Sequence, residues 1–221
     1  MNEIEIAYDQ KYKTPNYFRD RRWLYRPFVK ALVRKARLGS GARLLDAGCG
    51  QGFFSALFAE YGIDTLGVDL SSIGIQLAKR TYKLLPVRFQ VGDILQLPFE
   101  EKFDCVFTRS CSLYNTMDFS SNTAVTDKLI RYVRPGGLLI FDYYTRLSEN
   151  AFAENWIYHS VAHVKKHFKK YRSTEIYFSL RFETWLLGRF TFSPSISYIA
   201  SRLSHTIGIG GELVVFVRLD Q

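Results

Sequence analysis

The distribution of apolar and polar residues along the chain predicts alternating strands and helices. Short apolar runs between residues 42 and 142 are separated by amphipathic segments with helical spacing. We interpret the apolar runs as five strands, at residues 43–46, 65–69, 88–92, 103–108 and 138–142. The amphipathic segments predict helices at residues 53–61, 71–84 and 122–133. Crossover helices imply parallel strands, so we expect a doubly wound α/β sheet with its ligand site at the carboxyl ends of the strands.

The flanks of this region have patterns of their own. Residues 17–38 predict a helix whose apolar stripe comprises Tyr25, Phe28, Val29, Leu32 and Ala36. We expect Ser71 to cap the helix at 71–84, and residues 135–137, Pro-Gly-Gly, to stop the helix at 122–133. Beyond residue 144 the pattern weakens, and it predicts strands at 177–185 and 213–219 and a helix at 196–207.

Length and composition indicate one globular unit. The chain has 221 residues, 47% of them hydrophobic, which suits a single domain with a full core. We predict an N-terminal helical segment, residues 1–41, over the ligand cleft, and a main domain at 42–221. Residues 150–192 are aromatic and basic, and we interpret them as a small cap inserted on the acceptor side of the cleft.

The cysteines and the N-terminus bear on location. The three cysteines show no C-x-x-C spacing, so we expect reduced thiols in a cytoplasmic protein and no metal site. The polar N-terminus does not resemble a secretory signal. No apolar run approaches the roughly 18 residues that span a bilayer, although peripheral contact with a membrane stays open.

The net charge of +9 and the pI near 9.5 raise the question of an anionic partner. The basic residues cluster between residues 11 and 43 and again at 165–172. We interpret both clusters as solvated helix faces, with a phosphate-bearing substrate, a membrane surface or nucleic acid as the alternatives. Nucleic acid is not favoured, because the sequence has no zinc finger, helix-turn-helix or RNP-type motif.

A glycine-rich turn follows the first predicted strand. Gly48, Gly50 and Gly52 stand at alternate positions, whereas a dinucleotide fingerprint would read G-x-G-x-x-G. Asp46 precedes the first glycine by two residues. A carboxylate at that point suits an ammonium group better than a pyrophosphate. The turn therefore predicts a ligand that carries a positively charged amine.

Two further carboxylates end the next two strands. Asp69 lies 21 residues after Gly48, where an acidic side chain accepts hydrogen bonds from ribose hydroxyls. Asp93 ends the third strand and could accept a hydrogen bond from an adenine amino group, with Leu70 and Ile94 packed on the ring. An amine, a ribose and an adenine without phosphates describe S-adenosyl-L-methionine.

At this point the chain resembles the class I S-adenosylmethionine-dependent methyltransferases. The matching motifs lie in the family's order and spacing at residues 44–52, 68–70, 92–94, 103–107 and 134–140. The resemblance implies a Rossmann-like sheet of seven strands, with five parallel strands and a C-terminal antiparallel pair. It implies that residues after the fourth strand (Arg109, Ser110 and Cys111) line the methyl donor, and that an N-terminal tyrosine (Tyr8, Tyr12 or Tyr17) contacts the donor's carboxylate.

The expected cofactor-binding set follows from the motifs and the resemblance together. Its members are Asp46, Gly48, Cys49, Gly50, Gly52, Asp69, Leu70, Asp93, Ile94, Arg109 and, for the N-terminal tyrosine, Tyr17. The resemblance assigns Asp46 and the glycines to the methionine end, Asp69 to the ribose and Asp93 to the adenine. S-adenosyl-L-homocysteine would be the product.

Methyl transfer from a sulfonium is an in-line displacement that depends chiefly on alignment and a desolvated approach. We assign no catalytic residue; the candidates are Tyr114, beside Asn115 past the fourth strand, and His205. His159, His163 and His167 recur at four-residue intervals. We interpret these three as part of a solvated basic face rather than as acceptor or metal ligands, since neighbouring lysines would repel a cation.

The function predicted from the sequence is methyl transfer to a small molecule that is apolar, aromatic or anionic. The alternatives are an RNA or protein methyltransferase that uses the basic surface, and a non-catalytic, cofactor-binding regulatory partner. Residues 108–111 read Thr-Arg-Ser-Cys where amino-group methyltransferases of nucleobases and glutamine carry Asn/Asp-Pro-Pro-Tyr/Phe, which disfavours the first alternative. The acceptor and the oligomeric state stay open.

Overall fold

The computed structural model describes residues 6, 9, 10, 12, 13, 21–98, 102–145, 151–153, 156–179 and 211–220. Its helices are α1 (Arg22–Ala36), α2 (Phe53–Ala59), α3 (Ser72–Thr81), α4 (Thr123–Arg131) and α5 (Val161–Phe168). The strands are β1 (Arg43–Ala47), β2 (Asp64–Asp69), β3 (Val87–Val91), β4 (Phe103–Arg109), β5 (Val133–Thr145), β6 (Ala151–Ala153), β7 (Trp156–Tyr158), β8 (Thr174–Ser179) and β9 (Gly211–Arg218). Within these ranges no helix is long and apolar enough to cross a membrane.

Seven of the strands form one mixed sheet in the order β3-β2-β1-β4-β5-β9-β8. The five strands β1 to β5 all pair in parallel, and β9 runs antiparallel to both of its neighbours, β5 and β8. The predicted doubly wound sheet with a C-terminal antiparallel pair is confirmed. The strand order reverses between β1 and β4, and this reversal opens a crevice at the carboxyl ends of the strands.

Helices cover both faces of the sheet. Helices α1 and α2 pack on one face, where the buried stripe of α1 (Tyr25, Phe28, Val29, Leu32 and Ala36) meets aromatic residues of α2. Helices α4 and α5 pack on the other face. The stripe expected from the sequence is confirmed, since each of its residues is at most 4% exposed. Burial of this stripe fixes α1 on the sheet.

Two predicted helix boundaries have different outcomes. Ser71 caps α3 as expected, because its Oγ accepts a hydrogen bond from the Gly74 backbone N–H at 2.9 Å. The Pro-Gly-Gly sequence at 135–137 does not stop α4, which already ends at Arg131. These residues lie instead at the start of β5, where Asp104 alone faces residues 134–137 between two regular strand pairs. They absorb an irregularity of the sheet.

Part of the segment that we expect to form a cap packs with the seven-stranded sheet. Helix α5 buries Val161, Val164 and Phe168 in the same core as the sheet, and β8 is the edge strand beside β9. Strands β6 and β7 form a separate antiparallel pair. The rest of the predicted cap, most of the predicted strand at 177–185 and the predicted helix at 196–207 lie outside the described residues.

His159, which precedes α5, and His163 and His167 within it do not share a solvated face, so that expectation is corrected. His159 and His167 are 0% and 3% exposed and contact the ring of Phe119, whereas His163 is exposed. His167 Nε2 lies 2.9 Å from Thr126 Oγ1, which places it in the core between α4 and α5. Burial lowers the pKa of His167 to about 4.

Candidate functional site

The glycine turn lies between β1 and α2, and backbone hydrogen bonds attach it to β2. The N–H groups of Gly48 and Cys49 both donate to the carbonyl oxygen of Val68, at 2.9 and 3.0 Å. Gly48, Gly50 and Gly52 all have positive φ angles, of 80°, 54° and 76°. Other residues rarely adopt such angles, so the turn requires glycine at these positions.

Different neighbours approach each glycine. A Cβ atom at Gly52 would lie 2.4 Å from the ring of Phe89, so Gly52 is required for packing between α2 and β3. A Cβ atom at Gly50 would lie 2.8 Å from the hydroxyl oxygen of Tyr12. At Gly48 the nearest atom would be Cys111 Sγ, at 3.4 Å, which is ordinary contact. Gly48 is therefore the part of the turn with most room for a ligand.

Asp69 connects the glycine turn to α3. One carboxylate oxygen accepts the Gly50 N–H at 2.8 Å and the other accepts the Ser71 N–H at 2.9 Å. The carboxylate is only 7% exposed and is held in one orientation by these bonds. Each oxygen can accept a second hydrogen bond, so the carboxylate can also hold a pair of ligand hydroxyls.

Asp46 is the more deeply buried carboxyl group, at 2% exposure. Its Oδ2 accepts a hydrogen bond from Ser55 Oγ at 2.5 Å. The pKa of Asp46 is raised to about 7, chiefly by burial and secondarily by the nearby charge of Asp69. The hydrogen bond from Ser55 opposes this rise. A cation placed beside this group would favour its charged form. Burial likewise raises the pKa of the adjacent Cys49 thiol.

Asp93 follows β3 in a local turn. Its Oδ1 accepts the Leu95 N–H at 2.8 Å and its Oδ2 accepts from Gln96 Nε2 at 2.9 Å. Ile94 beside it is buried, whereas Leu70, after β2, is half-buried. The fold therefore places Asp46, Asp69 and Asp93 at the carboxyl ends of three adjacent parallel strands, as the sequence predicts.

Two described residues near the N-terminus, Asp9 and Tyr12, contact this edge of the sheet. Asp9 accepts hydrogen bonds from Ser71 Oγ at 2.5 Å and from the Ile73 N–H at 3.2 Å, at the beginning of α3. Gln51 Nε2 donates to the carbonyl oxygen of Tyr12 at 2.9 Å. Tyr12 thus lies over the glycine turn, while Tyr8 and Tyr17 lie outside the described residues. Sequence reasoning missed Asp9, whose only signal is its position among the candidate tyrosines.

Arg109 does not simply line the cleft. Its Nε lies 2.9 Å from Asp142 Oδ2, and its Nη2 pairs with Glu212. The guanidinium also lies over two rings of the α1–α2 face, 4.8 Å from that of Phe54 and 5.5 Å from that of Tyr25. The side chain is 10% exposed. Its charge is therefore engaged in the protein interior.

Both carboxylates that pair with Arg109 lie outside the set of site residues expected from the sequence. Asp142 is 0% exposed in an otherwise apolar run of β5, and a carboxylate in such a run indicates a buried ion pair. Glu212 stands near the start of β9 and offers no comparable signal. The next residue after Arg109, Ser110, has a φ of 44°, and its N–H donates to the Asp142 carbonyl at 2.9 Å. The ion cluster thus adjoins a strained turn.

Tyr114 lies in the core rather than at the cleft, which corrects its candidacy as a base. It is 0% exposed, and its hydroxyl lies 2.9 Å from Thr126 Oγ1. Burial raises the pKa of Tyr114 far above its usual range. The side chain of Asn115 accepts the Ile157 N–H at 2.7 Å and so anchors β7. His205 lies outside the described residues, and among those described no cluster of metal-binding side chains occurs.

The chain is similar in sequence to a known protein family and to several known proteins. The family described as "Methyltransferase domain" matches residues 38–189. The chain is 33% identical over 136 residues to malonyl-[acyl-carrier protein] O-methyltransferase of Erwinia pyrifoliae, covering 60% of this chain and 49% of that protein. It is 32% identical over 105 residues to fatty-acid O-methyltransferase of Mycolicibacterium smegmatis, covering 46% of this chain and 36% of that protein.

The fold matches solved structures over a longer stretch. The complex of phosphoethanolamine N-methyltransferase 2 from Haemonchus contortus with S-adenosyl-L-methionine has a TM-score of 0.62 at 20% identity. That match covers 90% of this chain and 55% of that one. The chain spans about half or less of the length of the curated relatives it matches. From the family match and the topology, the chain belongs to the methyltransferase domain family and has the class I S-adenosylmethionine-dependent methyltransferase fold.

Proposed function

We propose that the protein is an S-adenosylmethionine-dependent methyltransferase that acts on a small, anionic acceptor. The observation that carries this proposal is the placement of Asp46 and Asp69 on either side of the glycine turn. Asp69 is bonded to the turn through the Gly50 N–H, and Asp46 lies at the end of the strand that enters it. An ammonium group and a pair of hydroxyls fit such an edge.

The chain's residues fit the donor in a specific order. The buried Asp46 carboxylate would face the ammonium group, and the relief of its unfavourable burial would contribute to binding. Asp69 would accept the ribose hydroxyls, while Asp93 with Ile94 and Leu70 would hold the adenine. Gly48 would let the methionine end approach the backbone. Among the described residues, Tyr12 is the candidate tyrosine that lies over the turn, and a role for Tyr8 or Tyr17 stays a prediction.

The bound donor supplies an activated methyl group on its sulfonium. The protein's contribution is then alignment of donor and acceptor and exclusion of water from the crevice. A carboxylate or phosphate oxygen is already unprotonated at neutral pH and needs no general base. An anionic acceptor therefore suits a site whose sequence-predicted base, Tyr114, lies in the core.

The acceptor class is supported by the relatives and by the charge of the chain. The relatives named above act, by their names, on a malonyl group, a fatty acid and phosphoethanolamine, each of which carries an anionic group. The net charge of +9 creates a positive field that attracts small anions. We also propose a cytoplasmic location, which is supported by three cysteines without C-x-x-C spacing.

The proposal is tested by transfer of a tritiated methyl group from S-adenosyl-L-methionine to a panel of fatty acids, a malonyl thioester, phosphoethanolamine and total RNA. We expect label in an anionic small molecule and its loss in Asp69→Ala. Asp64→Ala is the matched control, because Asp64 lies at the opposite end of β2 in an exposed pair with Arg88. Label in RNA alone, or donor binding with no transfer to any acceptor, would overturn the proposal.

A further inference from the structure

A second cavity lies at the edge of the sheet opposite the glycine turn. It has a volume of about 310 Å³ and is lined by Arg34, Lys35, Arg37, Glu175 and Arg218. Three of these residues come from the last turn of α1 and its end, and the other two from β8 and β9. The volume is at the lower end of the range of small-molecule sites, roughly 300–1,000 Å³. Four cations and one carboxylate therefore surround a space of ligand size.

Glu175 forms ion pairs with two of the four cations. Its Oε2 lies 2.6 Å from Lys35 Nζ, and its Oε1 lies 3.7 Å from Arg218 Nε. Arg218 Nη2 also donates to the Lys35 carbonyl oxygen at 2.9 Å, which ties β9 to the end of α1. Burial opposes the charge of Lys35, but its hydrogen bonds to Glu175 and Tyr177 outweigh this and raise its pKa. These contacts hold Lys35, Glu175 and Arg218 together on one side of the cavity.

Arg34 and Arg37 stand on the same cavity with no acidic partner anywhere in the part of the chain that the structure describes. Their guanidinium groups supply planar, paired donors of the kind that match phosphate oxygens. Because both side chains are exposed, an anion could reach them without rearrangement of the core.

The backbone at Arg37 has a conformation that is uncommon for arginine. Arg37 ends α1 in the left-handed conformation, with φ 58° and ψ 37°, and its N–H donates to the Arg34 carbonyl. Glycine is the usual residue at such a position, because a side chain there is strained. An arginine is held in this conformation with its side chain on the cavity. On the other side, Ser173 before β8 also has a positive φ, of 52°, and its carbonyl accepts the Arg218 N–H.

We propose that this cavity binds a small phosphate-bearing anion, a phosphomonoester or phosphate itself, at a site separate from the methyl-transfer cleft. Arg34 and Arg37 hold the phosphate oxygens, and Lys35 and Arg218, fixed by Glu175, supply the surrounding positive charge. These four cations line one cavity, whose volume of about 310 Å³ suits a single small anion.

The test compares four proteins: the wild type, Arg37→Gly, Arg34→Ala and Lys30→Ala. Lys30 is the matched control, an exposed cation on α1 that does not line the cavity. Binding of inorganic phosphate and of glycerol phosphate is measured by titration calorimetry at constant ionic strength, without and with saturating S-adenosyl-L-homocysteine. Thermal unfolding without phosphate is measured in parallel.

We expect the wild type and Lys30→Ala to bind, and Arg37→Gly and Arg34→Ala to bind at least roughly tenfold more weakly, as for loss of one charge-assisted hydrogen bond. Arg37→Gly should unfold at the same temperature or a higher one, because glycine relieves the left-handed strain. Equal binding by all four proteins, or no binding, would overturn the inference. So would loss of phosphate binding when S-adenosyl-L-homocysteine is present, since the ligand would then occupy the cleft. None of these outcomes depends on methyl transfer.

Discussion

Asp46 is a buried carboxyl group placed where its charge is useful only when a cation lies beside it. In the unliganded protein, burial raises its pKa to about 7 from the ordinary value of 3.8. The folded state therefore keeps a proton that the unfolded chain releases, and folding stability falls as the pH rises from about 4 to above 7. The buried Asp46 carboxylate therefore lowers the folding stability at neutral pH, and we expect it to strengthen the binding of a cationic ligand.

Replacement of Asp46 by Asn should separate these two effects. At pH 8 the variant should be more stable than the wild type by roughly 2–4 kcal/mol, because no buried charge forms. It should bind S-adenosyl-L-methionine at least roughly tenfold more weakly, with no gain in affinity as the pH rises through 7. Chemical denaturation and calorimetry between pH 5 and 8 measure both. Asp64→Asn is the control, and equal donor affinity of Asp46→Asn and the wild type would contradict the assignment.

His167 predicts sensitivity to acid. Its pKa is about 4 in the folded state, so the neutral form is favoured there relative to the unfolded chain, whose histidine titrates near 6.5. Stability is fully present above pH 6.5 and falls as the pH drops toward 4, by up to about 3 kcal/mol. His167→Gln should lose this part of the acid dependence. Urea unfolding at pH 7, 5.5 and 4.5 measures it.

The matched control for this prediction is His163→Gln. His163 lies on the same helix, but its side chain is exposed. We expect its replacement to leave the pH dependence of unfolding unchanged. Parallel acid profiles for the wild type and His167→Gln would mean that the buried imidazole is not responsible.

At the scale of elements, the Arg109 cluster joins β4, β5 and β9 beside the cleft. Arg109→Met would leave Asp142 and Glu212 buried without their arginine, which should cost about 3–5 kcal/mol. The triple variant Arg109→Met, Asp142→Asn, Glu212→Gln should regain much of that loss, since no buried charge is then left behind. Arg88→Met, in an exposed pair, is the control, with a cost under about 1 kcal/mol. The midpoints of denaturant unfolding measure these differences. A triple variant no more stable than Arg109→Met would show that the unpaired buried carboxylates do not cause the loss.

Helix α1 packs on the sheet beside α2, and its end lines the cavity that contains Arg34 and Arg37. The contribution of this packing to stability can be tested. Leu32 is 0% exposed, so Leu32→Ala should cost about 2–5 kcal/mol through the cavity left behind. Lys30→Ala, two residues earlier on the exposed face, should cost almost nothing. Equal midpoints for these variants in denaturant would show that α1 contributes little to the folded state.

Some of these elements could be predicted from the sequence and others could not. The strands β1 to β4 and the stripe of α1 follow from local periodicity, and the positions of Asp46, Asp69 and Asp93 follow from the strand ends. The partners of Arg109 do not, because Glu212 lies 103 positions away in the sequence and only the sheet order brings them together. The burial of His159 and His167 does not follow from the sequence either, because the adjacent Lys165 and Lys166 make this stretch resemble a solvated face.

At the scale of the whole molecule, the order of strands explains why the sequence pattern does not place β8 in the main sheet. Strand β8 is short, and its strand neighbour β9 comes after it in the chain with residues 180–210 between them. A strand whose pairing partner is distant in the sequence resembles an insertion, although β8 is here the edge strand of the main sheet. Local pattern cannot show which strand lies between two others.

The same arrangement has a consequence for folding during synthesis. Because β9 lies between β5 and β8, the edge strand β8 cannot join the sheet before β9 has left the ribosome. Until then β5 presents an open edge of apolar residues, with Phe141 and Tyr143 among them. The nascent chain is therefore exposed to incorrect strand pairing and to chaperones over this interval, which ends only when β9 has been synthesised.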